Sequence, residues 1–396
     1  MDGMDIIDLT NHHWPSASYS TQVVINGFCY QIGASSADQV LCIQDYFSPY
    51  AADDKKATSS FPYKSIRVVS DPGAYLHAKS IVSHFEISGI VKHHPDTEYL
   101  CYEAVECKIY STRSGYDHMI FDHLDGRYTI FLSSSDDPES PKPALRLLRE
   151  LVVSRLEATN GITVHGSAAT CGKRGYIFVG SSGSGKTTCA AALAMRNEGR
   201  FLSGDRSVIS LGNGSPRLYG WPMAINIGHG ALSILLRSAN IDLPSNFRNS
   251  YFDTCLRNED GKFDLGDKNK FAFTPVEFKN LLNINFCPMC ELDAIFFPNL
   301  VPSDQPFAHM TRLSTTDIVS RVMKEARIGP KSGHGYGLVS RDYDVCRHAE
   351  KISAALLNVF SSIPGYDLRI SFKQMEFFLC GDLDFADFLN REVAGD

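Results

Sequence analysis

Between Tyr176 and Arg196 the chain reads YIFVGSSGSGKTTCAAALAMR, and no other stretch constrains the fold as tightly. Gly180, Gly185, Lys186 and Thr187 satisfy G-x-x-x-x-G-K-[ST], with a strand-like apolar run before them and an Ala-rich helical run after, the context this motif requires. Glycines at 180, 183 and 185 free the backbone to curl its N–H groups inward around an anion. A helix opening near Lys186 aims the positive end of its dipole at the same point. The expected guest is a nucleoside triphosphate, held by Gly180, Ser181, Ser182, Gly183, Ser184, Gly185, Lys186, Thr187 and Thr188. Lys186 is placed to neutralise the β and γ phosphates, and Thr187 to complete the coordination of a Mg²⁺ that keeps most of its waters. A Gly/Ser linker that happens to contain Lys-Thr does not fit, because Tyr176–Val179 reads as a buried strand and Cys189–Met195 as a helix.

At 396 residues the chain is long for one ordinary domain and suits two. Apolar residues make up 43% and charged ones 21%, enough of each to bury a sizeable core under a solvated surface. A net charge of −7, with no dense Lys/Arg run, argues against a nucleic-acid surface and against anionic membranes. The N-terminus carries acidic residues where a signal peptide needs basic ones, and no run of eighteen apolar residues occurs, so the expected compartment is the cytoplasm. Eleven cysteines, an odd and scattered set, read as reduced, mostly buried thiols.

The expected domains are 1–140 and 145–396. The first holds short β-type runs, among them TQVVINGFCYQIG, ADQVLCIQDYF, YKSIRVVS and GRYTIFLSS, and reads as a mostly antiparallel β domain for acceptor recognition or for covering the site. A polar, proline-rich linker, Ser133–Pro143, follows. Ala144–Gly161 then has helical spacing and stops at Asn-Gly, and strands alternate with helices from there on.

Upstream of the loop, ITVHGSAAT puts His165 at a strand end; downstream, GRFLSGDRSVISL puts Asp205 at another. A carboxylate so placed orders Mg²⁺ in P-loop proteins, though the spacing is short for a GTPase or a motor ATPase. VHGSAA, GSSGSGKTT, FLSGDRSV and LYGWPMAINI, in this order and spacing, resemble the HPr kinase/phosphorylase family across residues 145–396. The resemblance implies an α/β P-loop core shared with ATP-dependent phosphoenolpyruvate carboxykinases, ATP and Mg²⁺, Thr187 and Asp205 as metal ligands, and catalytic roles for Lys186, Asp205 and His165. A β region in front of such a core is similar to the peptide-tailoring serine kinases of this family, which implies a serine-type hydroxyl on a peptide or protein as acceptor. Other relatives act on small molecules, and a nucleotide binder with little transfer activity is a third reading.

Two departures from the family pattern bear on the chemistry. The family carries two adjacent aspartates, whereas this chain has Gly204-Asp205-Arg206, and Asp205 aligns with either one. The Glu-Arg-Gly signature is replaced by RLYGWP, so HPr is not the expected acceptor. His165 also has a plainer account, a strand-end histidine bonded to backbone, and Arg206 reads equally as a phosphate bridge or a surface partner of carboxylates. Weaker signals are Lys268, Lys270 and Arg312 as further basic groups and Lys331 and His334 in a lid-like loop, while Cys287 and Cys290 read as buried thiols, not zinc ligands. His12-His13 and His93-His94 carry no assignment.

Overall fold

The computed structural model describes residues 18–51, 64–94, 97–134, 136–137, 139–196, 198–211, 215–241, 248–249, 252–255, 270–326, 338–339, 345–380 and 384–394. It is a mixed α/β structure with several sheets and, among the described residues, ten helices. Two compact units divide it: Met1–Arg155 with Gly329–Asp342, and Leu156–Ile328 with Tyr343–Asp396.

The first unit is built on one eight-stranded sheet. Its strands are β1 (Tyr19–Ile25), β2 (Phe28–Ala34), β3 (Lys64–Val69), β4 (Ile87–His94), β5 (Thr97–Ala104), β6 (Cys107–Thr112), β7 (His118–His123) and β8 (Arg127–Leu132), in the spatial order β1-β2-β3-β8-β7-β6-β5-β4. Asn26 and Gly27, both with positive φ, close the β1–β2 hairpin in the manner of a two-residue turn matched to strand twist. The sheet is mixed: β3 pairs in parallel with both β2 and β8, while the other neighbours run antiparallel. A parallel pair needs a crossover, and the segment expected to be a strand, ADQVLCIQDYF, is the helix that begins it, α1 (Ala37–Phe47). Ser36 caps it by accepting from the Asp38 N–H, and Val40, Ile43 and Phe47 recur on one buried side. The β-branched and aromatic letters that suggested a strand are there to fill that side. A second helix, α2 (Pro72–Val82), starts on an Asp71 cap with Pro72 at its first position.

Helix α3 (Lys142–Ala158) carries the chain across the unit division. The strands that follow are β9 (Gly161–Val164), β10 (Gly166–Cys171), β11 (Arg174–Val179), β12 (Gly199–Ser203), β13 (Ser207–Ser210), β14 (Arg217–Gly220), β15 (Ile225–Gly228), β16 (Arg248–Asn249), β17 (Phe252–Cys255), β18 (Lys270–Phe273), β19 (Asn285–Phe286), β20 (Met289–Glu291), β21 (Ala294–Val301), β22 (Ala308–Arg312) and β23 (Gly365–Ser371). Seven of them form the central sheet, β19-β12-β10-β11-β21-β23-β22, and four form a second, β20-β14-β13-β9. Helices α4 (Lys186–Ala194), α5 (His229–Ser238), α6 (Pro275–Leu282), α7 (Thr315–Glu325), α8 (Val345–Phe360), α9 (Phe372–Cys380) and α10 (Phe385–Ala394) complete the unit.

Strand β11 is buried on both faces, which explains its uninterrupted apolar sequence. Tyr176 and Phe178 pack with α4, Phe296 and Tyr366, whereas Ile177 and Val179 face the opposite core with Ile295, Ile318 and Leu356. Alanines in α4 bring its backbone close to the sheet: a Cβ on Gly199 would lie 2.3 Å from the Leu193 carbonyl. The P-loop helix is thus fixed by packing and not by propensity alone. The nine cysteines whose side chains are described are free; Cys29, Cys107, Cys189 and Cys287 are buried, but Cys42 and Cys380 are exposed, so burial among them is less general than expected. No helix among the described residues is long and apolar enough to cross a membrane.

Candidate functional site

The loop between β11 and α4 takes the shape that its glycines permit. Gly183 and Gly185 have φ of +84° and +97°, and Gly185 forms the N-terminal cap of α4 without any side chain. A Cβ on Gly185 would lie 2.7 Å from the Cβ of Leu300, so both conformation and space demand glycine there. The loop is tied to β21 by a bond from the Leu300 N–H to the Ser184 carbonyl (3.0 Å). Lys186 Nζ folds back to donate to the Ser181 carbonyl at 2.8 Å. The Ser184 hydroxyl is buried with no hydrogen-bond partner.

His165 and Asp205 meet because two neighbouring strands change sheets at the same level. β9 and β13 belong to the four-stranded sheet and β10 and β12 to the central one, and the register pairs Val164 with Ser207 and Ala168 with Ser203. The single residue between β9 and β10 is His165; the residues between β12 and β13 are Gly204, Asp205 and Arg206. His165 Nε2 therefore lies 3.4 Å from Asp205 Oδ1. The Gly204 carbonyl, at the same junction, accepts from Ser167 Oγ (2.6 Å) and from Thr187 Oγ1 (2.7 Å). With its proton given to that carbonyl, the Thr187 hydroxyl presents its oxygen as a candidate metal ligand, with Ser167 Oγ 3.3 Å away as a hydrogen-bond neighbour.

Space limits what the Gly204-Asp205-Arg206 segment can carry. A Cβ on Gly204 would lie 2.8 Å from Cγ2 of the buried Ile225, so no aspartate fits there unless Ile225 moves. Arg206 is buried, stacked over the Trp221 ring at 5.3 Å with its Nε 3.6 Å from Asp205 Oδ2; it is neither a surface residue nor part of the cavity lining. Asp205 alone of the three puts a charged group into the cavity. Gly204→Ala should cost about 1–3 kcal/mol through overpacking against Ile225. The unfolding midpoint of the purified variant should fall by several degrees, and an unchanged midpoint would mean that Ile225 yields freely.

Burial pushes Asp205 towards the neutral form, but the His165 ring, the Arg206 guanidinium and Lys186 outweigh it and hold its carboxyl down at about 2. Lys186 is 5% exposed. Burial pulls it down to about 8, against the opposing pull of Asp205 and Glu325, and Lys270 adds to the lowering. A cavity of about 350 Å³ collects these groups: His165, Ser182, Gly183, Gly185, Lys186, Thr187, Thr188, Gly204 and Asp205 line it, with Asn226, Gly228, Gly230 and Lys270 opposite the loop. Gly180, Ser181 and Ser184 support the loop without lining the cavity.

Lys270 is the basic candidate that reaches the site. It opens β18, which pairs with β15, and its Nζ donates to Ser182 Oγ at 2.9 Å. Arg312 ends β22 on an exposed position and is not among the lining residues, while Lys268, Lys331, His334, His12 and His13 lie outside the described residues, as do the side chains of His93 and His94. Cys287 is buried and Cys290 half-buried. Glu325, the last residue of α7, was not foreseen: its Oε2 lies 3.1 Å from His165 Nδ1, across 160 residues of sequence. Among the described residues no group of three or more His, Cys, Asp or Glu stands together as a metal-binding set. The chain matches no family model, and no curated protein matches it.

Proposed function

We propose that the chain is an ATP- and Mg²⁺-dependent phosphotransferase of the HPr-kinase and carboxykinase type, moving the γ-phosphate to a hydroxyl of a peptide or protein. One observation carries this reading: a P-loop at a helix N-terminus, two lysines and an ionised aspartate converge on a single cavity. The residues fit the metal in the way P-loop sites do, with Thr187 and Asp205 as its protein ligands and phosphate and water oxygens as the rest. Mg²⁺ held there by Thr187 and Asp205 would supply positive charge against that of the phosphates.

The protein's own share is positioning and charge. Lys186 and Lys270 face the transferred phosphate from two elements, and the N–H groups opening α4 point at it. As the acceptor oxygen bonds to the γ-phosphorus, the bond to the β-bridging oxygen breaks and ADP leaves; the hydroxyl proton passes to Asp205. A carboxylate held at about 2 is a weak base, which suits a loose transition state where the proton leaves late. The peptide or protein acceptor rests on the motif resemblance.

Incubation of γ-labelled ATP and Mg²⁺ with a size-fractionated extract of the source cells tests the reading. Label in a peptide or protein fraction supports it. Label confined to small molecules makes the chain a metabolite kinase, and tight ATP binding without transfer makes it a nucleotide binder.

A further inference from the structure

We propose that Phe372 is a specificity-determining residue for the donor nucleotide: the nucleoside leaves the P-loop towards β21 and β23, and its base stacks on the Phe372 ring. The inference deepens the phosphotransferase reading and rests on it. It starts from strand direction. β12 and β11 are each antiparallel to β10, while β11, β21 and β23 pair in parallel, so all four of β12, β11, β21 and β23 run the same way. Their carboxyl ends share one edge of the sheet, where open α/β sheets bind ligands. At that edge Asp205 follows β12, the P-loop follows β11, Leu300 stands at the end of β21 and Phe372 comes directly after β23. Register sets the last two side by side, with Val301 opposite Ser371. Asp205, Leu300 and Phe372 line one cavity with the loop.

The cavity is therefore polar on one side of the P-loop and apolar on the other. Towards β12 it holds Asp205 and His165; towards β21 and β23 it holds Leu300 and Phe372, both half-buried against the core. The facing wall follows the same course. Ile225, the first residue of β15, lies against Gly204, and α5, which continues from β15, is joined to α9 by Arg237 Nη1 donating to Glu376 Oε1 at 2.9 Å. Ala231 of α5 lines the cavity from that wall. In the phosphotransferase reading the γ end of the donor lies at Asp205, so the nucleoside extends the other way. A base has a flat π face that gains from stacking on an aromatic ring, and Phe372 is the aromatic residue among those that line the cavity. The Asp205 side is left to the acceptor.

The test measures binding of Mg-ATP, Mg-GTP and Mg-tripolyphosphate to the full chain by calorimetry, the last carrying the phosphates without a base. Phe372→Ala should weaken Mg-ATP and Mg-GTP by about 5–150-fold each, the range for losing an aromatic platform under a base, and leave Mg-tripolyphosphate within about threefold. Phe372→Tyr keeps the ring and should bind Mg-ATP within about threefold of wild type. In the transfer assay Phe372→Ala should raise KM for ATP by a similar factor and hold kcat within about threefold, the pattern of lost uniform binding. Equal losses for Mg-ATP and Mg-tripolyphosphate would mean that Phe372 supports the fold and not the base, and overturn the proposal, as would Mg-ATP binding unchanged in Phe372→Ala. A wild-type protein that binds none of the three probes overturns the P-loop reading and this proposal together. Mg-ATP binding that depends on Phe372, with no transfer to any acceptor, overturns the kinase reading and leaves the base subsite standing.

Discussion

Lys186→Met should weaken Mg-ATP binding by about 10–150-fold, since a charge-assisted contact to phosphate is worth about 1.5–3 kcal/mol and, among the described residues, the cavity offers one other lysine. The wild-type protein should reveal the same group through pH. Burial holds Lys186 at about 8 in the free protein, and a bound polyphosphate raises it, so binding takes up a proton when the solution is above pH 8. Affinity is full below about pH 8 and declines as pH rises through it. Calorimetry in two buffers of different ionisation enthalpy, at pH 7 and pH 9, reads this uptake directly. In the unliganded protein the sign is opposite: the folded value lies below the ordinary 10.5, so the unfolded chain binds more protons between 8 and 10.5 and stability rises with pH there. Lys186→Met removes a cation that burial disfavours, and should not destabilise the unliganded protein at pH 7. Binding that survives the substitution within threefold would sink the assignment of Lys186 to the phosphates.

What the sequence discloses of this site depends on how locally each part is determined. The P-loop is legible because one short segment carries its strand, its positive-φ glycines, its lysine and its helix start. His165 and Asp205 are legible only as strand ends. Their contact follows from two strands switching sheets side by side, a property of register between segments forty residues apart in sequence. Glycines at both junctions, Gly166 and Gly204, are the trace this leaves in the sequence. Glu325 leaves none: it ends an ordinary amphipathic helix, and only the bridge from Val164 to Ala326 gives it a partner. Lys270 could be placed near related basic residues but not against Ser182, because β18 reaches the loop through its pairing with β15.

In the first unit the helix Ala37–Phe47 shows a different limit. Val40, Cys42, Ile43, Tyr46 and Phe47 are strand-favouring types, and a short run of them fits either period. Ser36 and the buried positions Val40, Ile43 and Phe47 settle it as a helix once tertiary packing is known. The parallel pairing of β2 with β3 follows from that helix, which lies in the crossover between them.

Asp205→Asn should lower the transfer rate by about 10³-fold or more while Mg-ATP still binds within about tenfold, because the amide keeps the shape of the side chain but can take no proton. Single-turnover transfer at saturating Mg-ATP separates the two effects. Gly204 leaves no neighbouring carboxylate to substitute, and Arg206 is occupied by Trp221, so the loss should not be rescued from within the segment. Stability should change as well. His165, Arg206 and Lys186 hold the Asp205 carboxyl at about 2, below its ordinary 3.8, so the ionised form stabilises the fold. That contribution is fully present above about pH 3.8 and fades as pH falls towards 2. Asp205→Asn should therefore unfold more easily than wild type at pH 7, and the gap should narrow as the pH approaches 2. A variant that transfers phosphate within tenfold of wild type would show that the proton of the acceptor leaves by another route and that Asp205 is no more than an ion partner for Arg206 and Lys186.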